Sequence, residues 1–301
     1  MTEVIKVNKD TMDQMIKYYA DKKREKTPPY ALFQAQEGDT VITLYQSGKA
    51  MFQGTSADID AKMWKEMNGT MLEEIGKELE KEYEDYYYVN AVCSDEVGTG
   101  DYFGPIVVSS AYVNKDDIIF LEQLGAKDSK KLTDDKILKI VPEIIKKIPY
   151  SSIIISNKEY NEKYNKEFNM NKIKAVLHNK VLFDLIKDNK YNYDYIIVDQ
   201  FAHERKYYEY LNDSKTVVKN ITFLTKAEDK NLAVACASLI SRYIFIKELN
   251  KLSDSLHMPL PKGAGDMVDK IGKEIVEKYG IDKLKEVAKF NFKNTDKILG
   301  N

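Results

Sequence analysis

The chain is poor in the residues that build soft-metal sites and disulfides: 301 residues hold two cysteines and three histidines. Cys93 and Cys236 each sit in an apolar run with no CxxC or CxxH spacing. This argues against a zinc site of that type, and buried thiols in a reducing compartment are the simplest account. His178, His203 and His257 are scattered and form no ligand motif. No apolar run reaches the roughly 18 residues that a membrane helix needs. Charges begin at Glu3, where a signal peptide would have its apolar core. These absences lead us to expect a cytoplasmic protein with no membrane contact. No dimerisation heptad is visible, so a monomer is expected. Formal net charge is only −2, so phosphate contacts would have to come from local basic patches.

What the chain does have is concentrated in Tyr88–Val113. An apolar run ends at Ser94, followed by Asp95, Glu96, then Gly98, Gly100, Gly104 and Pro105, and by a second apolar run, Ile106–Val113. The pattern reads as strand, glycine loop, strand. Glycines permit positive φ and close approach of another molecule, and paired acids beside a bare backbone suit a hard cation and a phosphate-bearing ligand. The glycine spacing does not match a dinucleotide-binding turn, because a β-rich run rather than a helix follows. A plain hairpin and a metal-dependent nuclease loop both remain open on this stretch alone.

The first 70 residues read β-α-β-β-β-α, a small α+β unit with one sheet face open, near which Tyr45, Lys49 and Gln53 lie. Its last helix is expected to use Ile59, Met63 and Met67 as its apolar face. Residues 71–85 form an acidic helical pattern, taken as a linker helix, and residues 86–301 form a second domain. In that domain Ser129, Lys130 and Lys131 could touch phosphates or simply lead into a capped helix. Asp199 ends a strand of consecutive apolar residues, where turn chemistry alone explains an acid poorly. Glu228 opens a long helix, Asp229–Leu249, rich in small residues, and suits either the helix dipole or a metal. Lys289, Lys293 and Lys297 read as a basic surface tail.

Several stretches together resemble ribonuclease HIII, a type 2 ribonuclease H family with an extra N-terminal domain. They are SDEVGTGDYFGP at Ser94–Pro105, DSKKL at Asp128–Leu132, IIVDQF at Ile196–Phe201 and TKAE at Thr225–Glu228 with LAVACASLISRY after it. PKGA at Pro261–Ala264 and FKNT at Phe292–Thr295 add to them. ITLYQSGKAMFQG at Ile42–Gly54 is similar to the family's N-terminal domain, which has a TATA-box-binding-protein-like fold. The glycine loop has Thr99 where the sister ribonuclease HII usually has arginine. Asn291 stands where many relatives have histidine.

The resemblance implies an α/β, RNase H-like mixed sheet flanked by helices, and the following function. Asp95, Glu96, Asp199 and Glu228 would be catalytic acids and ligands of Mg²⁺ or Mn²⁺. The RNA strand of RNA/DNA hybrids would be hydrolysed, leaving 5′-phosphate and 3′-hydroxyl ends. The Gly98-Thr99-Gly100 backbone could sense the 2′-hydroxyl. Ser129, Lys130 and Lys131, with Tyr45 and Lys49 on the N-terminal unit, are candidate substrate contacts. The alternatives are cleavage at single ribonucleotides in DNA, as in ribonuclease HII, or an inactive nucleic-acid-binding protein.

Overall fold

Alternating apolar and polar residues build the N-terminal sheet from β1 (Thr2–Lys6), β2 (Ala31–Glu37), β3 (Thr40–Tyr45) and β4 (Lys49–Gln53), in the order β1-β4-β3-β2. The strands are antiparallel, as their short links require. Phe33, Ala35, Ile42, Leu44, Ala50 and Phe52 form one core with Met15 and Tyr19 of α1 (Lys9–Tyr18 and its C-cap) and with helix α2, residues 57–69. The Trp64 indole N–H donates to the Tyr19 hydroxyl at 2.8 Å, so neither buried polar tip is left unpaired. Tyr45 is half-buried and Lys49 exposed. Strand alternation puts both on the face opposite Leu44 and Ala50.

The expected apolar face of α2 is corrected: Ile59, Met63 and Met67 are 67%, 37% and 39% exposed, and Ala57, Ala61 and Trp64 are buried instead. Two alanines let the helix approach the sheet, and the indole fills the remaining space; side-chain size decided the face, not hydrophobicity alone.

This computed structural model describes residues 1–69, 86–164 and 168–300, and the chain divides into units Met1–Glu82 and Tyr83–Asn301. The linker helix expected over 71–85 lies outside the described residues.

The second unit is a five-stranded mixed sheet in the order β7-β6-β5-β8-β9, made of β5 (Ala91–Val97), β6 (Ile106–Val113), β7 (Tyr150–Ile155), β8 (Tyr195–Asp199) and β9 (Ile221–Leu224). β5, β6 and β7 are antiparallel, whereas β5, β8 and β9 run parallel. Consecutive residues of β5 enter different cores. Ala91 and Cys93 join α9 (Leu232–Leu256) and α4 (Asp134–Lys147), and Val92 joins α6 (Met170–Ile186). The sheet is therefore covered on both faces, which is why β8 carries the unbroken apolar run Ile196-Ile197-Val198.

The long helix expected from Asp229 is corrected to two. Asn231 is extended (φ −144°, ψ 131°) and separates α8 (Ala227–Lys230) from α9. Its side-chain oxygen accepts from the Ala233 amide at 2.8 Å, and its Nδ2 donates to the Tyr86 carbonyl at 2.6 Å. An asparagine that satisfies backbone groups this way starts a helix rather than continuing one. Short helices α3 (Ile118–Gln123), α5 (Asn157–Lys163) and α7 (Glu204–Tyr210) fill the connections. The chain closes with α10 (Asp266–Tyr279), α11 (Ile281–Val287) and α12 (Lys293–Leu299), which share a core with Tyr102, Phe103 and Phe245. The basic tail is also corrected: Lys289 is fully buried, and Lys297 pairs with Asp269 at 3.1 Å.

Candidate active site

The acids lie in β5 rather than beyond it. Pairing with β6 continues through Asp95↔Ser109, Glu96↔Val108 and Val97↔Val107. Strand alternation then sends the two neighbouring carboxylates to different surroundings. The Asp95 carboxylate meets Ser238 of α9, and Ser241 of the same helix donates to the Asp95 carbonyl at 3.1 Å. Small residues on α9 are what allow the helix so close to the strand.

Glu96 sits with α6. His178 Nε2 is 2.9 Å from its carboxylate, and Lys174, one turn earlier, pairs with its other oxygen. His178 Nδ1 is 2.8 Å from the Ser94 hydroxyl. A carboxylate can only accept, so the tautomer that fits carries its proton on Nε2, and Nδ1 accepts from Ser94. Phe201, just past β8, stacks on the His178 ring at 5.3 Å, and the Lys174 ammonium lies 4.1 Å from the Phe201 ring centre.

Asp199 ends β8 beside β5: the parallel register pairs Ser94 with Val198, one residue before each acid. Asp199 in turn pairs with Leu224 of β9, and its Oδ1 accepts from the Ala227 amide at 2.8 Å. Glu228 follows on α8, after Lys226 has turned the chain through a left-handed conformation (φ 53°). The carboxyl ends of three adjacent parallel strands therefore carry Asp95, Asp199 and, four residues past β9, Glu228.

Electrostatics separate the two adjacent acids. Burial, then the neighbouring charges of Glu96 and Glu228, push the Asp95 carboxyl well above the ordinary range. Burial alone would raise Glu96 as well, but the His178 hydrogen bond and the Lys174 ammonium outweigh it and hold Glu96 low.

The DSKKL stretch forms a 3-10 turn, Ala126–Lys131, next to Glu228. Lys130 Nζ pairs with Glu228 at 3.0 Å and with Asp229 at 2.9 Å, and the Ser129 hydroxyl donates to Glu228 at 3.4 Å. Arg242 of α9 fixes the turn by donating to the Ser129 carbonyl at 2.6 Å and the Leu132 carbonyl at 3.0 Å. Lys131 is exposed.

In the glycine loop, Gly98 has φ +89°, and a Cβ there would lie 2.1 Å from the Pro105 carbonyl oxygen, so only glycine fits. Gly100 differs: nothing lies within 4 Å of where its Cβ would be, and it is exposed beside half-buried Thr99. The loop thus offers open backbone at residues 99–100.

Among the described residues, no three His, Cys, Asp or Glu side chains stand close enough to share one cation. Glu96 and Glu228 are instead each held by a lysine. The donor set nevertheless suits a hard divalent ion: all its atoms are carboxylate oxygens, and Asp95 is strained by negative neighbours that a cation would offset. Sequence reasoning singled out the acids as candidates but not Lys174, His178 or Arg242. The i,i+4 spacing of Lys174 and His178 was the available signal. Tyr45 and Lys49 lie in the other unit.

A mixed sheet with acids at the carboxyl ends of adjacent strands, flanked by helices, defines a nuclease of the ribonuclease H type. A family model described as Ribonuclease HII matches residues 92–295, and one for a domain of unknown function, DUF3378, matches residues 2–74. Ribonuclease HIII of Bacillus cereus (strain ATCC 14579) is 39% identical over 98% of this chain and 97% of its own length. The enzyme of Bacillus anthracis is also 39% identical, over 98% and 96%. The crystal structure of Bst-RNase HIII in complex with Mn²⁺ is 34% identical with a TM-score of 0.71, covering 100% of this chain and 98% of that one. The ribonuclease H2 of Pyrococcus horikoshii, at 22% identity and a TM-score of 0.59, shares the fold over 69% of this chain and 96% of that one. The chain belongs to the ribonuclease HIII family and is an endoribonuclease of the ribonuclease H type.

Proposed function

We propose that the enzyme hydrolyses the RNA strand of RNA/DNA hybrids with Mg²⁺ or Mn²⁺, leaving 5′-phosphate and 3′-hydroxyl ends, and that Asp95, Glu96, Asp199 and Glu228 hold the ions. The observation that carries this reading is that Asp95, Asp199 and Glu228 lie on or just past three neighbouring strands, with Glu96 next to Asp95 in β5. The Mn²⁺ complex of Bst-RNase HIII supports the choice of metal. Held by these acids, divalent ions would supply a water of lowered pKa and charge stabilisation for the leaving oxygen.

The protein's own groups do the rest. Asp95, whose carboxyl is pushed up by burial and by the charges of Glu96 and Glu228, would be a ligand of such a cation, which would offset that repulsion. The Gly98-Thr99-Gly100 backbone faces the 2′-hydroxyl, since no side chain stands in the way at Gly100. Lys130 and Lys131, with Ser129, neutralise phosphates next to the cleaved bond. Tyr45 and Lys49, on the open face of the N-terminal sheet, add affinity for the hybrid, which a chain of net charge −2 needs. The protein acts as a cytoplasmic monomer on the lack of a heptad; among the described residues no helix is long and apolar enough to cross a membrane.

The test is cleavage of a labelled hybrid with Mg²⁺, Mn²⁺ or EDTA, beside an Asp95→Asn variant and a DNA duplex containing one ribonucleotide. We expect metal-dependent cutting of the hybrid and weak cutting at the single ribonucleotide. The variant should lose on the order of a thousandfold, about 4 kcal/mol of barrier. Efficient cutting at the single ribonucleotide would assign ribonuclease HII-like specificity instead, and no cutting with any metal would leave only nucleic-acid binding.

A further inference from the structure

Lys289 is fully buried, yet its ammonium has no carboxylate within ion-pair reach among the described residues. Its Nζ donates instead to two backbone carbonyls, Asp101 at 2.8 Å and Gly104 at 2.5 Å. Both belong to the glycine loop that follows the acids. The Lys289 amide donates to the Tyr102 carbonyl at 2.9 Å, the Gly104 amide to Val287 at 3.0 Å, and Phe103 bridges Ala288. Residues 101–104 are thus held along their length by residues 287–289. Asn157 of α5 donates to the same Gly104 carbonyl at 2.9 Å, and the Gly263 amide donates to the Asp101 carboxylate at 2.6 Å. Phe245 and Leu249 of α9 close the other side, within 3.0–3.1 Å of where a Gly104 Cβ would stand.

A long flexible cation is an expensive way to fill a core. Burial brings this amine down to about 7, and the Asp101 charge opposes only part of that fall. Two of its N–H groups are received by the two carbonyls. The loop's far half is therefore fastened at both Asp101 and Gly104, while residues 99–100 stay open to solvent.

We propose that Lys289 is a positioning residue that sets the height and direction of the Gly98–Gly100 backbone, open at residues 99–100, and through it the enzyme's grip on the RNA strand. It makes no hydrogen bond or ion pair with the four acids; it acts through the two carbonyls. The proposal rests on the reading of residues 98–100 as the RNA-contacting backbone. A shift of about 1 Å in such a group can cost up to roughly 100-fold.

The test compares wild type with Lys289→Met in three measurements on the full chain: steady-state cleavage of the hybrid, calorimetric titration with Mn²⁺, and amide hydrogen exchange over residues 98–104. Support would be faster exchange in the loop and kcat/KM lowered roughly 10- to 100-fold chiefly through KM, with Mn²⁺ affinity held within about twofold. Unchanged loop exchange or unchanged KM overturns the proposal. So does a parallel loss of Mn²⁺ affinity, which would make Lys289 a support of the acids. If Lys289→Met does not fold, Asn157→Ala takes its place with the same readouts: a smaller loss in the same direction supports the fastening of Gly104, and no change overturns it. Wild type that cuts no hybrid would sink the functional reading, while the exchange measurement would still judge the fastening itself.

Discussion

At the scale of single residues, the site depends on positions with no alternative side chain. Gly98 combines φ +89° with a carbonyl 2.1 Å from any Cβ, so Gly98→Ala must move the loop. We expect about 2–4 kcal/mol of lost stability, read by chemical denaturation, and a loss of cleavage larger than that of Gly100→Ala, where space is open. Lys289 gives a signed pH dependence. Its amine titrates near 7 when folded, against an ordinary value of 10.5. Between those values the unfolded chain binds more protons, so stability rises with pH across that window; below 7 the burial cost is present in full. Thermal melts from pH 7 to 10 should show wild type gaining on Lys289→Met by on the order of a few kcal/mol. A constant difference would mean the buried lysine keeps its proton. The motif DEVGTG singled out Asp95 and Glu96 as candidates because its residue types are rare in that order. Lys289 was not, since nothing in a sequence distinguishes a buried lysine from a surface one.

At the scale of elements, strands were easier to read than helix boundaries. The alternation in β2, β3 and β4 and the apolar run of β8 state their own burial. The break at Asn231 does not: asparagine is tolerated inside helices, and only the Tyr86 carbonyl and the Ala233 amide turn it into a cap. Asn231→Ala removes these two bonds and the one its Oδ1 accepts from Cys93 Sγ at 3.4 Å, all at a buried position, and about 1–3 kcal/mol of destabilisation should appear in urea unfolding. Because α8 carries Glu228, the same variant should weaken Mn²⁺ binding; a stability loss with unchanged affinity would show that α8 holds its place without the cap. The apolar face of α2 was misread for a different reason. Three large apolar residues at helical spacing outvote two alanines on any hydrophobicity scale, yet close packing against a sheet favours the small ones and a single indole.

At the scale of the whole molecule, each unit has its own core among the described residues: the cluster of Phe33, Ile42, Phe52 and Trp64 lies within the first, and the buried residues of the other clusters begin at Tyr87. Removing residues 1–70 should therefore leave the second unit folded, with KM for the hybrid raised far more than kcat is lowered. Equal losses in both would show that the N-terminal unit shapes the chemistry rather than adding affinity.

The sequence by itself determined the class of fold and most strands, because alternation, glycine turns and apolar runs are local chemistry; it marked Asp95 and Glu96 by their motif, and Asp199 and Glu228 as candidate ligands only through the family resemblance. The tertiary structure decided which neighbours each acid has. Asp95 and Glu96 are adjacent in the chain, but strand alternation turns one toward α9 and the other toward α6, so burial raises the first while His178 and Lys174 hold the second low. The residues that tune and brace the site, Lys174, His178, Arg242 and Lys289, come from 79 to 194 positions beyond Asp95. Their roles arise from long-range packing, which no local pattern encodes.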